Sequence, residues 1–293
     1  MNITISGASG FIGRHLLKSL AEAGHSLRAL SRHAPPAESL READVVIHLA
    51  GEPLAQRWTA EAKQRIRESR VTGTRHLVEA LATFPRRPQA LICASAIGYY
   101  GSRGDEVLTE SSAPGSGFLP ELCVAWEREA QAAEAFGLRV VRMRTGLVLH
   151  AHGGALVRML PPFRMGVGGR LGSGRQWMSW IHLEDLAALF QLAVENPVRG
   201  PLNGVAPNPV TNSDFTRELA RALRRPAVFP VPEFALRLLF GEMADVLLAS
   251  QRVAPRAAQA AGFRFRFPQL APALADLLSR RRGGLRQSRI INK

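Results

Sequence analysis

Met1-Asn-Ile-Thr-Ile-Ser-Gly7-Ala-Ser-Gly10-Phe-Ile-Gly13 opens the chain, and its order of strand, glycine-spaced turn and helix sets the fold. Asn2 to Ser6 alternate as a short buried strand does, and from Arg14 to Ala23 the apolar Leu16, Leu17 and Leu20 recur on one helical face. Glycines placed between such a strand and such a helix suit a dinucleotide. Gly7 permits the tight turn, Gly10 lets backbone approach a pyrophosphate, and Gly13 lets the helix pack closely on the strand. The unpaired N–H groups at the helix start then face the phosphates. Gly7, Ser9, Gly10, Phe11, Ile12 and Gly13 are expected to line the cofactor.

The end of the next strand selects the dinucleotide. His25-Ser-Leu-Arg-Ala-Leu-Ser-Arg-His33 ends without the acidic residue that would accept hydrogen bonds from a ribose 2′-OH. It ends instead in Ser31, Arg32 and His33, a hydroxyl beside a planar cation suited to a 2′-phosphate, which favours NADP(H) over NAD(H).

The same alternation continues through the first half of the chain. Asp44 to Gly51, Ala90 to Ser95 and Leu138 to Arg144 read as strands, with helical patterns over Ala60 to Ala82 and Glu121 to Phe136 between them. Gly200 to Ala206 reads as a late strand. The fold class predicted is α/β, a doubly wound, mostly parallel Rossmann sheet with a smaller C-terminal α/β cap domain. Residues 1–148, with 177–206 returning to them, are expected to form the NADP-binding domain, and 149–176 with 207–293 a substrate-side loop and cap. His152 to Gly154 and Met165 to Gly174 are glycine-rich and read as a loop over the site. Thr211-Asn-Ser213 caps a helix through Leu223, and the last portion reads as helices over Phe234–Phe240 and Leu270–Leu278 around a Phe263–Phe267 strand.

Composition narrows the function classes. The chain has 293 residues, 46% of them apolar, enough for one large core and a smaller second one. No apolar run reaches bilayer-spanning length and no leader precedes the first strand, so a cytoplasmic protein without membrane association is expected. Cys93 and Cys123 lack both metal-ligand spacing and a disulfide framework, and read as free thiols. The formal charge of +14 raises a nucleic-acid partner. Against it, lysine occurs only at 18, 63 and 293, and the arginines are spread throughout and intermixed with glutamate. The one dense cluster, Arg280 to Arg282 with Arg286 and Arg289, lacks interleaved aromatics, so no nucleic-acid partner is expected.

Taken together, the Gly7/Gly10/Gly13 turn, His48-Leu-Ala-Gly51, Arg57-Trp58, Ser69-Arg70, Ser95-Ala-Ile-Gly-Tyr-Tyr-Gly101, Trp126-Glu127, Trp180-Ile-His182, Leu202 to Pro207, Phe240 to Met243 and Ser250-Gln251 resemble the extended short-chain dehydrogenase/reductase superfamily. Within it they resemble the atypical, sugar-epimerase-like branch, over nearly the whole chain. The resemblance implies that Ser31 and Arg32 hold the 2′-phosphate and that Leu49, Ala50 and Gly51 line the adenosine and ribose path. It further implies that Arg70 occupies the usual Asn position, that Val148 lies beside the nicotinamide, and that a homodimer through helices of the sheet can form.

The superfamily's Tyr-x-x-x-Lys pair has no counterpart. The two tyrosines, Tyr99 and Tyr100, are followed four positions on by Arg103 and Gly104, and the family positions of tyrosine and lysine fall at Leu119 and Cys123. Ser95 stands at the upstream serine position and, with Tyr99 and Tyr100, is a candidate for handling the substrate oxygen. Arg70 or Arg103 could stabilise a phenolate or an oxyanion. Cys123 reads as core, His182 as a packing or hydrogen-bonding residue at a helix start, and Glu110 and Glu127 as capping or surface carboxylates. Two functions are expected from these features: an NADP(H)-dependent oxidoreductase or epimerase-like enzyme acting on a small carbonyl or alcohol, or a nucleotide-binding regulator that senses NADPH and catalyses nothing.

Overall fold

The computed structural model describes residues 1–30 and 40–287, with the side chains of 280–287 excepted. Among the described residues, six strands make one sheet: β1 (Asn2–Ser6), β2 (Ser26–Leu30), β3 (Val45–His48), β4 (Ala90–Ala96), β5 (Arg139–Thr145) and β6 (Gly200–Gly204). Their order is β6-β5-β4-β3-β1-β2 and every pairing is parallel. The chain adds β2 on one side of β1 and β3 on the other. That reversal leaves a crevice at the carboxyl ends of β1 and β3, where ligands of doubly wound sheets bind.

Helices cover both faces because the strands alternate large apolar residues to each side. Ile3, Ile5, Ile47, Ile92 and Val141 pack with Leu16 and Leu20 of α1 (Phe11–Glu22) on one face. Val46, Leu91 and Val140 meet Leu77, Val78 and Leu81 on the other, together with Trp126 and Ala130. The single helix expected over Ala60 to Ala82 divides into α2 (Ala60–Arg67), a π turn at Glu68–Thr72, and α3 (Gly73–Ala82). The helix expected over Glu121 to Phe136 is α4 (Phe118–Gln131), closed by a 3-10 turn through Phe136.

Beyond β5 the chain forms α5 (Gly154–Arg164), α6 (Leu183–Glu195) and α7 (Asn212–Leu223). It then forms α8 (Glu233–Phe240), α9 (Ala244–Leu248), α10 (Arg256–Ala260) and α11 (Leu270–Gln287). Thr211 caps α7 as expected, its hydroxyl accepting from the Asp214 N–H. Leu156, Phe163, Trp180, Phe215, Leu219, Phe267 and Leu274 close a further core here. The strand expected at Phe263–Phe267 does not form. The Arg266 and Phe267 N–H groups are taken instead by the buried Asp185 carboxylate at 2.8 and 2.9 Å, so no neighbouring strand is needed to satisfy them. No helix among the described residues is long and apolar enough to cross a membrane.

One imidazole locks β1, β3 and α3 together. His48 Nδ1 lies 2.6 Å from Ser6 Oγ and its Nε2 lies 3.1 Å from Thr74 Oγ1, with the ring buried. Burial, aided by the nearby Arg70 charge, pulls its pKa down to about 4. The unfolded chain takes up this proton near pH 6.5, so the stability is fully present above that pH and is lost as pH falls toward 4. We expect about 3 kcal/mol to disappear over that window, measured by urea unfolding at pH 7 and pH 4. His48→Asn, neutral throughout, should flatten the acid limb; an unchanged limb would assign it to other groups.

Candidate functional site

The crevice begins at the β1–α1 elbow. Gly7 has φ +72°, and its carbonyl accepts from the Gly10 N–H at 3.0 Å to close the turn. A Cβ at Gly7 would stand 2.8 Å from the Ala50 N, and one at Gly13 would stand 2.3 Å from the Gly7 carbonyl oxygen and 2.7 Å from Ala8 Cα. No side chain caps α1, and no acidic residue occupies its first turn. The N–H groups there are left for an external anion.

The β3 end forms the next wall. The Leu49 N–H donates to the Ser6 carbonyl at 3.1 Å, so Leu49, Ala50 and Gly51 run directly beside the elbow. Val148 follows β5, and the segment after it folds back so that Gly153 and Gly154 pack against the Phe11 ring. Thus Gly7, Ser9, Gly10, Phe11, Ile12, Gly13, Leu49, Ala50, Gly51 and Val148 come together in one region. Ser31 and Arg32 lie outside the described residues.

Arg70 enters this region from the π turn. Its Cζ lies 3.1 Å from where a Gly51 Cβ would stand, and 5.2 Å from the Trp126 ring. Nη1 donates to the Glu52 carbonyl at 2.8 Å and to Ser69 Oγ at 3.4 Å, while the buried Nε has no hydrogen-bond partner among the described residues. Burial lowers its pKa from the ordinary arginine value, and the nearby Cys123 and Glu52 oppose that shift.

The three residues expected at the substrate separate. Ser95 is buried and donates to Glu127 Oε1 at 2.7 Å. Tyr100 is 0% exposed, donates to Asn203 Oδ1 at 2.7 Å and accepts from Arg144 Nη1 at 3.0 Å. Desolvation pushes its phenol up to about 12. The Tyr100 oxygen, expected at the substrate, is enclosed and engaged in both senses. Tyr99 is half-buried, its ring face lies 3.5 Å from the Arg144 guanidinium carbon, and its hydroxyl has no hydrogen-bond partner among the described residues.

The expectation for Glu127 is corrected, since it is neither cap nor surface carboxylate. It is 4% exposed and makes a two-pronged pair with Arg144, Nε to Oε1 and Nη2 to Oε2, each 2.8 Å. The available signal was Arg144 itself, an arginine near the end of a central strand where burial demands a counter-charge. Glu110 does act as a cap, accepting from the Ala257 N–H at the start of α10 and from Asn203 N–H, both at 3.1 Å. His182 caps α6, its Nδ1 accepting from the Glu184 N–H at 3.1 Å, with its ring stacked on Phe267.

Leu119 packs against Gly98 and joins Trp58, Ile66, Leu122 and Met243 in an apolar cluster. Cys123 is buried, and desolvation pushes its thiol up to about 12, so it stays protonated at neutral pH. The C-terminal part reaches this region directly. Lys63 pairs with Glu242, and Gln251 Nε2 donates to the Ile97 and Gly101 carbonyls at 2.9 and 3.0 Å. The glycine-rich 165–174 stretch meets residues 213–231, through Gly174 against Ser213 and the Leu171–Val231 bridge.

This arrangement of sheet, elbow and closing segment matches known proteins along its length. The model of the NAD dependent epimerase/dehydratase family matches residues 3–206. The chain belongs to that family. A domain of unknown function, DUF1731, matches residues 231–277, the stretch that carries α8, α9 and Gln251. Among the relatives of this family member, the epimerase family protein YfhF of Bacillus subtilis is 39% identical over 302 residues, covering 96% of this chain and 99% of its own. The epimerase family protein Mb2239 of Mycobacterium bovis is 42% identical over 296 residues, covering 95% and 98%. The crystal structure of human epimerase family protein SDR39U1 (isoform 2) with NADPH is similar at TM-score 0.89 and 34% identity, covering 95% of this chain and 99% of that one.

Proposed function

We propose that this protein is an NADP(H)-dependent oxidoreductase or epimerase-like enzyme that passes hydride between the nicotinamide and a small carbonyl or alcohol. The observation that carries it is the elbow, where backbone alone fills the space a Cβ would need at Gly7 and Gly13 and the α1 N–H groups remain uncapped. Residues 1–148 with 177–206 would hold the cofactor, and 149–176 with 207–293 would close over the substrate. Ser31 and Arg32 are assigned to the 2′-phosphate; NADPH as the cofactor is supported by the structure of human SDR39U1 with NADPH.

The bound dinucleotide supplies the hydride chemistry. The chain's own residues position and enclose. The apolar wall of Leu119, Trp58 and Met243 excludes water, and Tyr99 offers an unengaged hydroxyl to orient the substrate oxygen. Ser95, already donating to Glu127, can offer only its lone pairs. That last fact, with Leu119 at the tyrosine position, favours the second reading, a regulator that binds NADPH without turnover.

Titrating NADPH and NADH into the wild type and Arg32→Ala, then following NADPH oxidation against aldehydes, ketones and nucleotide sugars, tests both readings. Arg32→Ala should weaken NADPH at least tenfold more than NADH, and turnover should fall in Tyr99→Phe. Tight NADPH binding without turnover on any substrate would select the regulator.

A further inference from the structure

A helix lying on a protein surface normally turns its apolar face inward and its polar face to water. The α8 helix does not. Leu236 is its one buried residue, while Phe234 and Leu238, one turn apart, are 73% and 74% exposed, with the exposed Leu239 and Phe240 beside them. The patch extends beyond the helix. Gly166 packs against Pro226 and Gly169 against the Phe229 carbonyl, so the exposed Met165 and Val167 stand beside the exposed Val228 and Phe229. The Leu171–Val231 bridge ties these two segments together just before α8 begins.

Size and charge narrow what can cover this surface. With roughly 200 Å² for a fully exposed side chain of this class, these residues leave on the order of 900 Å² of largely apolar surface open. The largest apolar patch on a typical monomer is about 300–600 Å², and a stable interface takes about 800 Å² from each partner. The charges at its border divide by sign. Arg224 and Arg225 precede Val228 at one end, exposed and without an ion pair among the described residues. Glu233, Glu242 and Asp245 border α8 at the other.

We propose that this patch is the contact face of a homodimer, in which α8 packs against α8 of a second copy about a two-fold axis, in place of an interface through the helices of the sheet. A face used twice in this way must complement itself. The two-fold axis brings the Phe234 and Leu238 side chains of both copies together and turns the Arg224–Arg225 end of each toward the carboxylates of the other. Arg237, within α8, is held by Glu233 and Asp245, so it enters the interface already compensated. Phe and Met are enriched at the centres of protein interfaces, which suits the composition here. The same carboxylates argue against an anionic bilayer as the occupant, because Glu233, Glu242 and Asp245 would face its headgroups.

Sedimentation velocity on the full chain tests this without any ligand. We expect wild type to sediment at micromolar concentration with twice the 31.9 kDa mass of the chain. Phe234→Glu and Leu238→Glu, at positions already open to water in the single copy, should each raise the dimer dissociation constant at least about 100-fold and leave monomers. Val124→Glu, on the exposed face of α4, should leave the dimer intact. Circular dichroism melts establish that all three variants are folded. A wild type that stays monomeric at about 100 µM would overturn the proposal, as would a dimer that survives both α8 variants or one lost in Val124→Glu instead. Monomeric wild type that floats with phosphatidylserine vesicles would give the patch to a lipid surface and overturn it too.

Discussion

Gly13→Ala should raise the dissociation constant for NADPH by at least about 100-fold. The added carbon would meet the Gly7 carbonyl oxygen at 2.3 Å and Ala8 Cα at 2.7 Å, both of them backbone. The turn has little room to yield, since the Leu49 and Ala50 backbone lies within 2.9 Å of where a Gly7 Cβ would stand. Either α1 tilts away from β1 or the elbow opens, and both displace the N–H groups meant for the pyrophosphate. Titration of the variant with NADPH gives the measurement, and a chemical melt gives the accompanying loss of stability. Wild-type affinity in Gly13→Ala would mean that this elbow does not hold the ligand.

Glu127→Ala should cost about 3–5 kcal/mol of stability, read by urea unfolding at pH 7. The carboxylate is the only ion-pair partner of Arg144 among the described residues, Arg144 is 3% exposed, and the carboxylate is also the acceptor for Ser95. Without it the guanidinium retains the Tyr100 oxygen at 3.0 Å, the Glu110 carbonyl at 3.3 Å and the Tyr99 ring face, none of which carries a negative charge. The penalty arises from the stranded cation more than from the lost pair. Replacing both partners, as Glu127→Leu with Arg144→Met, should therefore recover much of the loss. A decrease below about 1 kcal/mol in the single variant would mean that water reaches Arg144.

Much of this architecture can be read from residue order, because the informative signals are local. The elbow, the apolar strands and the Thr211 cap each depend on residues within one turn or one strand, and each forms where its pattern lies. The family motifs are equally local, and they place the chain in its family. The errors all involve partners distant in sequence. Glu127 reads as a solvated helix carboxylate until Arg144 is brought beside it from β5. Phe263 to Phe267 alternates like a strand, yet its N–H groups are claimed by Asp185, some eighty residues earlier. Tyr100 carries a reactive group, but Asn203 and Arg144 arrive from β6 and β5 to enclose it. The apolar setting of Leu119 depends on Met243, contributed by the far end of the chain.

The π turn at Glu68–Thr72 has a consequence for how this helix could have arisen. A wider turn holds an extra residue, and inside a regular α-helix that residue shifts the phase of everything after it by about 100°. Upstream, α2 keeps Ala62 and Ile66 inward; downstream, α3 does the same for Leu77, Val78 and Leu81. Arg70 sits on the seam between the two phases. Deleting one residue there would convert the wide turn into regular α-helix with α3 still in step with the sheet, and only the side chains of the turn, Arg70 among them, would be re-aimed.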